Sequence, residues 1–197
     1  MTKKGTSRMS KAVSAMNGAS FAGLAKVEET GLGGMITLRG DFASAAFKAA
    51  VKTAIGCDVP AVRKIAFGEQ GAAAWMSPDE LLLLVDYDTA EAVVAQLSDA
   101  LAGEHHMAVN VSDARACFAV SGEGAREVIA KVAPVDLDAG QFEAGDFRRT
   151  RFAQVAGAFW RDEADVFHIV CFRSVAVYMF NLLSTAAHPQ SKVGVYA

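Results

Sequence analysis

The sequence predicts an α+β protein built from two pseudo-symmetric halves, each with the element order β-α-β-β-β-α. Three observations carry that expectation. Short apolar runs of strand type end on glycine and are followed by amphipathic stretches at helical spacing. The stretch from Val109 to Leu137 shows this most fully: ACFAV at 116–120, then Ser121-Gly122-Glu123-Gly124, then AREVIAKV with Ala125, Val128, Ile129 and Val132 on one face, then Pro134. The pattern occurs twice, with Gly122 following Gly40 by 82 residues and Trp160 following Trp75 by 85.

The first half begins with Met35–Gly40, which alternates like a strand and ends on glycine. Asp41 is placed to N-cap a helix whose apolar positions include Phe42, Phe47, Val51 and Ile55, with Gly56 as its C-cap. Val62–Phe67 reads as a strand, Gly68–Gly71 as a turn and Ala72–Met76 as a short strand. Ser77-Pro78-Asp79-Glu80 is a second turn, because proline fixes φ and serine and aspartate bond the local backbone. Leu81–Val85 is a continuous apolar run, a buried strand. Asp86 to Thr89 caps a helix from Ala90 to Leu101, with Val93, Val94 and Leu97 on one face and Gly103 beyond it.

The second half repeats the order. After the helix that Pro134 stops come strands at Arg149–Val155 and Ala156–Trp160, a turn at Arg161–Asp165, and a buried strand at Val166–Phe172. Ser174 is placed to N-cap the last helix, which runs through Val177, Phe180 and Leu183. The chain thus divides into an extended or flexible arm over 1–31, a first half over 32–108 and a second over 109–197. Such a two-fold repeat is too long and too few in copies for a solenoid.

Composition bounds the function classes. The 197 residues suffice for one core or two small subdomains sharing one. A hydrophobic fraction of 52% and a mean hydropathy of +0.24 leave apolar surface for a partner, or reflect alanine content. The net charge of −3 gives no pull toward nucleic acid or anionic lipid. Cys57, Cys117 and Cys171 are odd in number, far apart and set in apolar stretches, so they read as buried hydrophobes in a reducing compartment. No apolar window reaches membrane-spanning length, and the basic N-terminus lacks the apolar core of a signal peptide. The expectation is a cytoplasmic protein.

The sequence holds no evident catalytic constellation. Gly122-Glu123-Gly124 lacks the third glycine of a dinucleotide loop and the lysine of a P-loop. His105 and His106 are adjacent and cannot share a helical face, while His168 and His188 are isolated. No cysteine stands beside activating charge, and there is no nucleophile elbow. Asp79-Glu80 and Asp162-Glu163 sit in turns. Arg148, Arg149 and Arg151 form a basic cluster that reads as a solvated face, or as a seat for a carboxylate on a ligand or partner. Trp75, Phe159 and Trp160 fall at equivalent places of the repeat and read as core or inter-half packing. The sequence assigns no catalytic, cofactor-binding or metal-ligating residue.

Trp75-Met76-Ser77-Pro78-Asp79-Glu80-Leu81-Leu82 resembles a signature of the gamma subunit of heterotetrameric sarcosine oxidase, and Val109–Arg115 is similar to that family's "VDLSDGR" segment. Ser121-Gly122, Pro134–Leu137 with Phe142, and Arg173-Ser174 continue in the family's order, so the resemblance spans Leu32 to Ala187. It implies the fold of the folate-binding aminomethyltransferase, the T protein of glycine cleavage. It implies partnership with alpha, beta and delta subunits in a complex that oxidises sarcosine to glycine and passes the one-carbon unit to tetrahydrofolate. FAD, FMN, NAD, tetrahydrofolate and zinc are implied for those partner subunits and none for this chain, whose role would be structural, in assembly. Two departures weigh against independent folate chemistry: Val155–Asp162 lacks the paired acids of the T protein, and Asn110 stands where the related segment commonly has aspartate. The alternatives are a stand-alone folate-binding or aminomethyltransferase-like protein and a small-molecule-binding regulatory module. Self-association of the isolated chain stays open.

Overall fold

Two sheets packed face to face form the centre of the molecule, and a pair of helices covers the outer face of each. The computed structural model describes residues 11–196. Among these, the first repeat supplies β3 (Gly34–Arg39), α1 (Ala45–Ile55), β4 (Ile65–Gly68), β5 (Gly71–Ser77), β6 (Glu80–Val85) and α2 (Ala90–Ala100). The second supplies β8 (Arg115–Ser121), α3 (Ala125–Val132), β9 (Phe147–Phe152), β10 (Val155–Arg161), β11 (Phe167–Phe172) and α4 (Ala176–Ala186). The expected order β-α-β-β-β-α holds in both halves.

Strand alternation separates the cores. Ile36 and Leu38 of β3 and Leu81 and Leu83 of β6 face Phe47, Val51 and Ile55 of α1 and Leu97 of α2. Phe118, Val120, Phe159 and Ile169 face Val128 and Ile129 of α3 and Met179 and Leu183 of α4. The intervening positions, Met35, Ala74, Leu82, Phe147, Trp160 and Val170, pack sheet against sheet. Each buried strand therefore carries apolar side chains on both faces, which is why 81–85 shows no polar alternation.

Three further strands lie outside the repeat pattern. β1 (Ser20–Ala22) and β2 (Lys26–Glu29) precede the first repeat, and β7 (Met107–Asn110) precedes the second. All pairings are antiparallel, and the orders are β1-β2-β8-β11-β10-β9 and β4-β5-β6-β3-β7. β2, which leads into β3, pairs instead with β8 (Val27 opposite Val120). β7, which leads toward β8, pairs instead with β3 (Thr37 opposite Val109). Each repeat thus sends its leading strand into the other repeat's sheet.

That exchange changes the expected division. The first ordered element precedes Gly33, and residues 20–22 and 26–29 of the expected arm are sheet; residues 1–10 of it lie outside the described residues. The border at 108/109 falls inside β7, whose residues 109–110 belong with the first half's sheet. The two crossings meet at Met35. Met35 N donates to Ser112 Oγ at 2.9 Å, and Val111 N donates to Met35 O at 2.8 Å.

Helix caps differ from expectation at two ends. Asp41 accepts from the Ala43 amide at 2.8 Å in a local turn, and Ser44 caps α1 by accepting from Phe47 N. Ser174 lies within a 3-10 turn (Arg173–Val175) that leads into α4 without a side-chain cap. Gly56 ends α1 as expected, at φ 84°.

Candidate functional site

The edge strands β4 and β9 come together from the two sheets, and a wide cleft opens there. Phe147 N donates to Arg63 O at 2.8 Å, and Ile65 N donates to Gly145 O at 3.0 Å. Arg63 adopts φ 62°, a left-handed conformation that costs a side-chain-bearing residue on the order of 1 kcal/mol. Its carbonyl also accepts from Arg148 at 3.3 Å. Asp146, buried beneath, accepts from the Glu143 amide at 2.8 Å and pairs with Lys64 Nζ at 2.9 Å. Burial opposes ionisation of Asp146, but the Glu143 amide and the cations Lys64 and Arg148 outweigh it and hold the carboxyl below its ordinary range.

The cleft has a volume of about 770 Å³ and is walled by Trp75, Met76 and Phe147, by Val135 and Asp136 after α3, and by Arg63, Arg148 and Arg149. Its size and its mixture of aromatic wall and cationic rim fall in the range of small-molecule sites. A second, smaller space between the sheets shares Met76 and Arg149 with it and adds Glu80, Arg115 and Phe172.

The expected arginine cluster divides by strand alternation. Arg149 and Arg151 fall on the same side of β9 as Phe147, whereas Arg148 lies over the Phe142 ring, 5.4 Å from its centroid, and is occupied by carbonyls and Asp146. The tryptophans divide as well. Leu81 pairs with both Leu38 and Trp75, and Phe167 pairs with both Val120 and Arg161, so Trp75 corresponds to Arg161 and Trp160 to Ala74. Trp160 is buried between the sheets, stacked on His168 at 5.2 Å, while half-buried Trp75 walls the cleft. The expected equivalence of Trp75 and Trp160 is therefore off by one residue, which in a strand reverses the face.

The remaining candidates have structural partners. His168 Nε2 meets Asp162 Oδ2 at 2.7 Å, and Asp162 also accepts from the Ala164 and Val166 amides. Asp79 takes Ser77 Oγ and Arg39, which hold its carboxyl below the ordinary range. Gly124 approaches the Leu24 carbonyl so closely that a Cβ would lie 2.5 Å from it, a packing reason for glycine in that turn. His106 and His188 bond nearby backbone. Burial pushes the Cys117 thiol up to about 12 and the Cys171 thiol to about 11, away from thiolate chemistry. Among the described residues, no group of three His, Cys, Asp or Glu is placed to hold a metal ion. No helix among them is long and apolar enough to cross a membrane.

Arg115 is the residue that sequence reasoning passed over. It was visible only as the end of Val109–Arg115, whereas its surroundings come from Phe172 in β11 and Met76 and Glu80 in the other half.

Comparison with known proteins bears on this arrangement. The sequence model of the "Sarcosine oxidase, gamma subunit family" matches residues 39–188. The chain belongs to the sarcosine oxidase gamma subunit family. A relative from Arthrobacter sp., sarcosine oxidase subunit gamma, is 29% identical over 149 residues, covering 75% of this chain and 72% of the relative. Among solved structures, a chain of heterotetrameric sarcosine oxidase from Corynebacterium sp. U-96, in complex with pyrrole 2-carboxylate, superposes with a TM-score of 0.77. Identity there is 26%, over 89% of this chain and 91% of that one. The glycine cleavage system aminomethyltransferase T from Bartonella henselae shares the fold at a TM-score of 0.58 and 15% identity, over 77% of this chain and 43% of that one. The aminomethyltransferase-like α+β fold expected from the resemblance is thus the fold found.

Proposed function

We propose that this chain is the non-catalytic assembly subunit of a heterotetrameric sarcosine oxidase, partnered by alpha, beta and delta subunits in the cytoplasm. The complex would oxidatively demethylate sarcosine to glycine and transfer the one-carbon unit to tetrahydrofolate. FAD, FMN, NAD, tetrahydrofolate and zinc would reside on the partners. The observation that carries this reading is the match to a chain of the Corynebacterium complex over nine-tenths of both lengths. The side-chain chemistry supports it. The thiols are held protonated, Asp162 is committed to His168 and a turn, and Asp79 is committed to Arg39.

The test is capture of tagged chain from its native cells, followed by the visible absorption spectrum of what co-purifies. A yellow complex with flavin bands and larger partner chains is expected. A colourless chain without partners, from cells whose sarcosine oxidase survives deletion of this gene, would overturn the reading.

One observation favours a second reading, a stand-alone folate-binding protein. It is the 770 Å³ cleft, with Trp75 as a stacking wall and arginines at the rim. Saturable binding of tetrahydrofolate to the isolated chain would support it, and a flat titration would dismiss it.

A further inference from the structure

Arg115 opens β8 and stands opposite Phe172, the last residue of β11. Its guanidinium lies over the Phe172 ring, 4.2 Å from the centroid. The guanidinium lines the small space between the sheets. Its Nε is buried and has no hydrogen-bond partner among the described residues. Buried donors are nearly always satisfied, so an orphaned one on a cation points to an acceptor that binds from outside.

The space beside it has the character of a socket. Met76, Leu82, Ala158 and Val170 give it apolar walls, and Arg149 and Glu80 are the other charged groups that line it. Burial pulls the Arg115 pKa down, Glu80 partly restores it, and the neighbouring Arg149 depresses it again. Two cations therefore share one apolar gap, with Glu80 as the single acid lining it. The space is small, about 70 Å³, and suits a carboxylate head whose stem lies at its mouth. Phe172, 49% exposed, supplies an apolar surface at the mouth.

We propose that Arg115 and Arg149 form a socket for one aspartate or glutamate side chain of a companion subunit, which enters between the two sheets and is flanked by Phe172. The proposal rests on the assembly reading above and names where on this chain the partner is anchored. Arginine suits the task because its planar fork can hold a carboxylate through two bonds while its face stays stacked.

The test uses companion subunits purified from native cells free of this chain, titrated with wild type, Arg115→Met, Arg115→Lys and Arg149→Glu. Each variant is first shown to melt like wild type. Arg149 is exposed, so Arg149→Glu tests the socket even where a change at Arg115 impairs folding. Arg115→Met is expected to weaken binding at least about 30-fold and Arg149→Glu about tenfold, with a shallower dependence on salt in both. Arg115→Lys is expected to fail to restore affinity, because lysine lacks the fork. Wild-type chain that binds no companion would overturn the assembly reading itself. Wild-type binding with every folded variant equally tight would overturn the socket alone. Saturable protection of the isolated chain by acetate, with companion binding unchanged in the variants, would assign the socket to a free anion instead.

Discussion

The side-chain amide of Asn110 bonds through both its ends. Its Nδ2 donates to Glu91 Oε1 at 2.8 Å, and its Oδ1 accepts from Ser112 N at 3.0 Å and from Ser112 Oγ. Ser112 Oγ in turn accepts from Met35 N, so a short chain of bonds links α2 to both inter-sheet crossings. An aspartate at 110 could still accept from Ser112 but would set a carboxylate against Glu91. Asn110→Asp is expected to destabilise the protein by about 0.5 kcal/mol at low salt, and the loss should shrink as salt is added. Urea unfolding at two ionic strengths checks this; a salt-independent loss would point to geometry rather than charge. Ser112→Ala removes the acceptor from a buried amide and should cost about 1–2 kcal/mol, whatever the salt. Asparagine rather than aspartate at 110 suits the neighbouring carboxylate of Glu91, a contact legible in the sequence only once Glu91 is known to lie beside it.

Among the elements, α3 shows how a helix secures a chain end. Glu127 pairs with Lys131 one turn later at 2.7 Å and accepts from the Val193 and Gly194 amides at 2.8 and 2.7 Å. Lys131 first, then those two amides, hold its carboxyl down at about 2. In the unfolded chain a glutamate titrates near ~4.3. The folded-state value is depressed, so the contribution is complete above ~4.3 and is lost as pH falls through about 2. Protection of the Val193 and Gly194 amides against hydrogen exchange, taken relative to the intrinsic rate at each pH, should therefore fall between those limits in wild type and be low at all pH values in Glu127→Ala. The α3 helix itself was plain in the sequence, since Ala125, Val128 and Ile129 are buried at the spacing that predicted them. The caps at Asp41 and Ser174 were misplaced because such residues also bond local backbone outside helices, as Asp41 does with Ala43. β2 was missed for a different reason. Its sequence, Lys26-Val27-Glu28-Glu29, carries one apolar residue among charges, and Glu29 is buried only because Ser14 Oγ and the Met16 and Gly18 amides meet it. The arginine cluster was visible as charge, but its division between two faces required the strand phase that only pairing fixes.

At the scale of the whole molecule, the exchanged strands make the two repeats mutually dependent. Sequence periodicity reports which residues form a strand but not which strand they join, so the repeat was legible and the exchange was not. Its consequence can be tested by cutting the chain where the repeats meet. Gly103 lies in the exposed connection between α2 and β7, and a Cβ there would touch nothing within 4 Å. A cut at this point yields an N-terminal piece carrying β1 to α2 and a C-terminal piece carrying β7 to α4. The first then holds β2, whose Val27 is fully buried against β8 of the second, and the second holds β7, which covers β3 of the first. Each piece alone would leave a sheet edge unpaired and expose Met35, Leu82, Phe147, Trp160 and Val170 from the layer between the sheets. Expressed separately, fragments 1–103 and 104–197 should therefore be unfolded or aggregated. Expressed together, they should co-purify one to one and unfold in a single transition, because neither sheet is complete without both chains. Circular dichroism and size-exclusion chromatography distinguish the outcomes. Two fragments that each fold alone and melt independently would mean that the repeats are autonomous units, and that the exchanged strands merely decorate their edges.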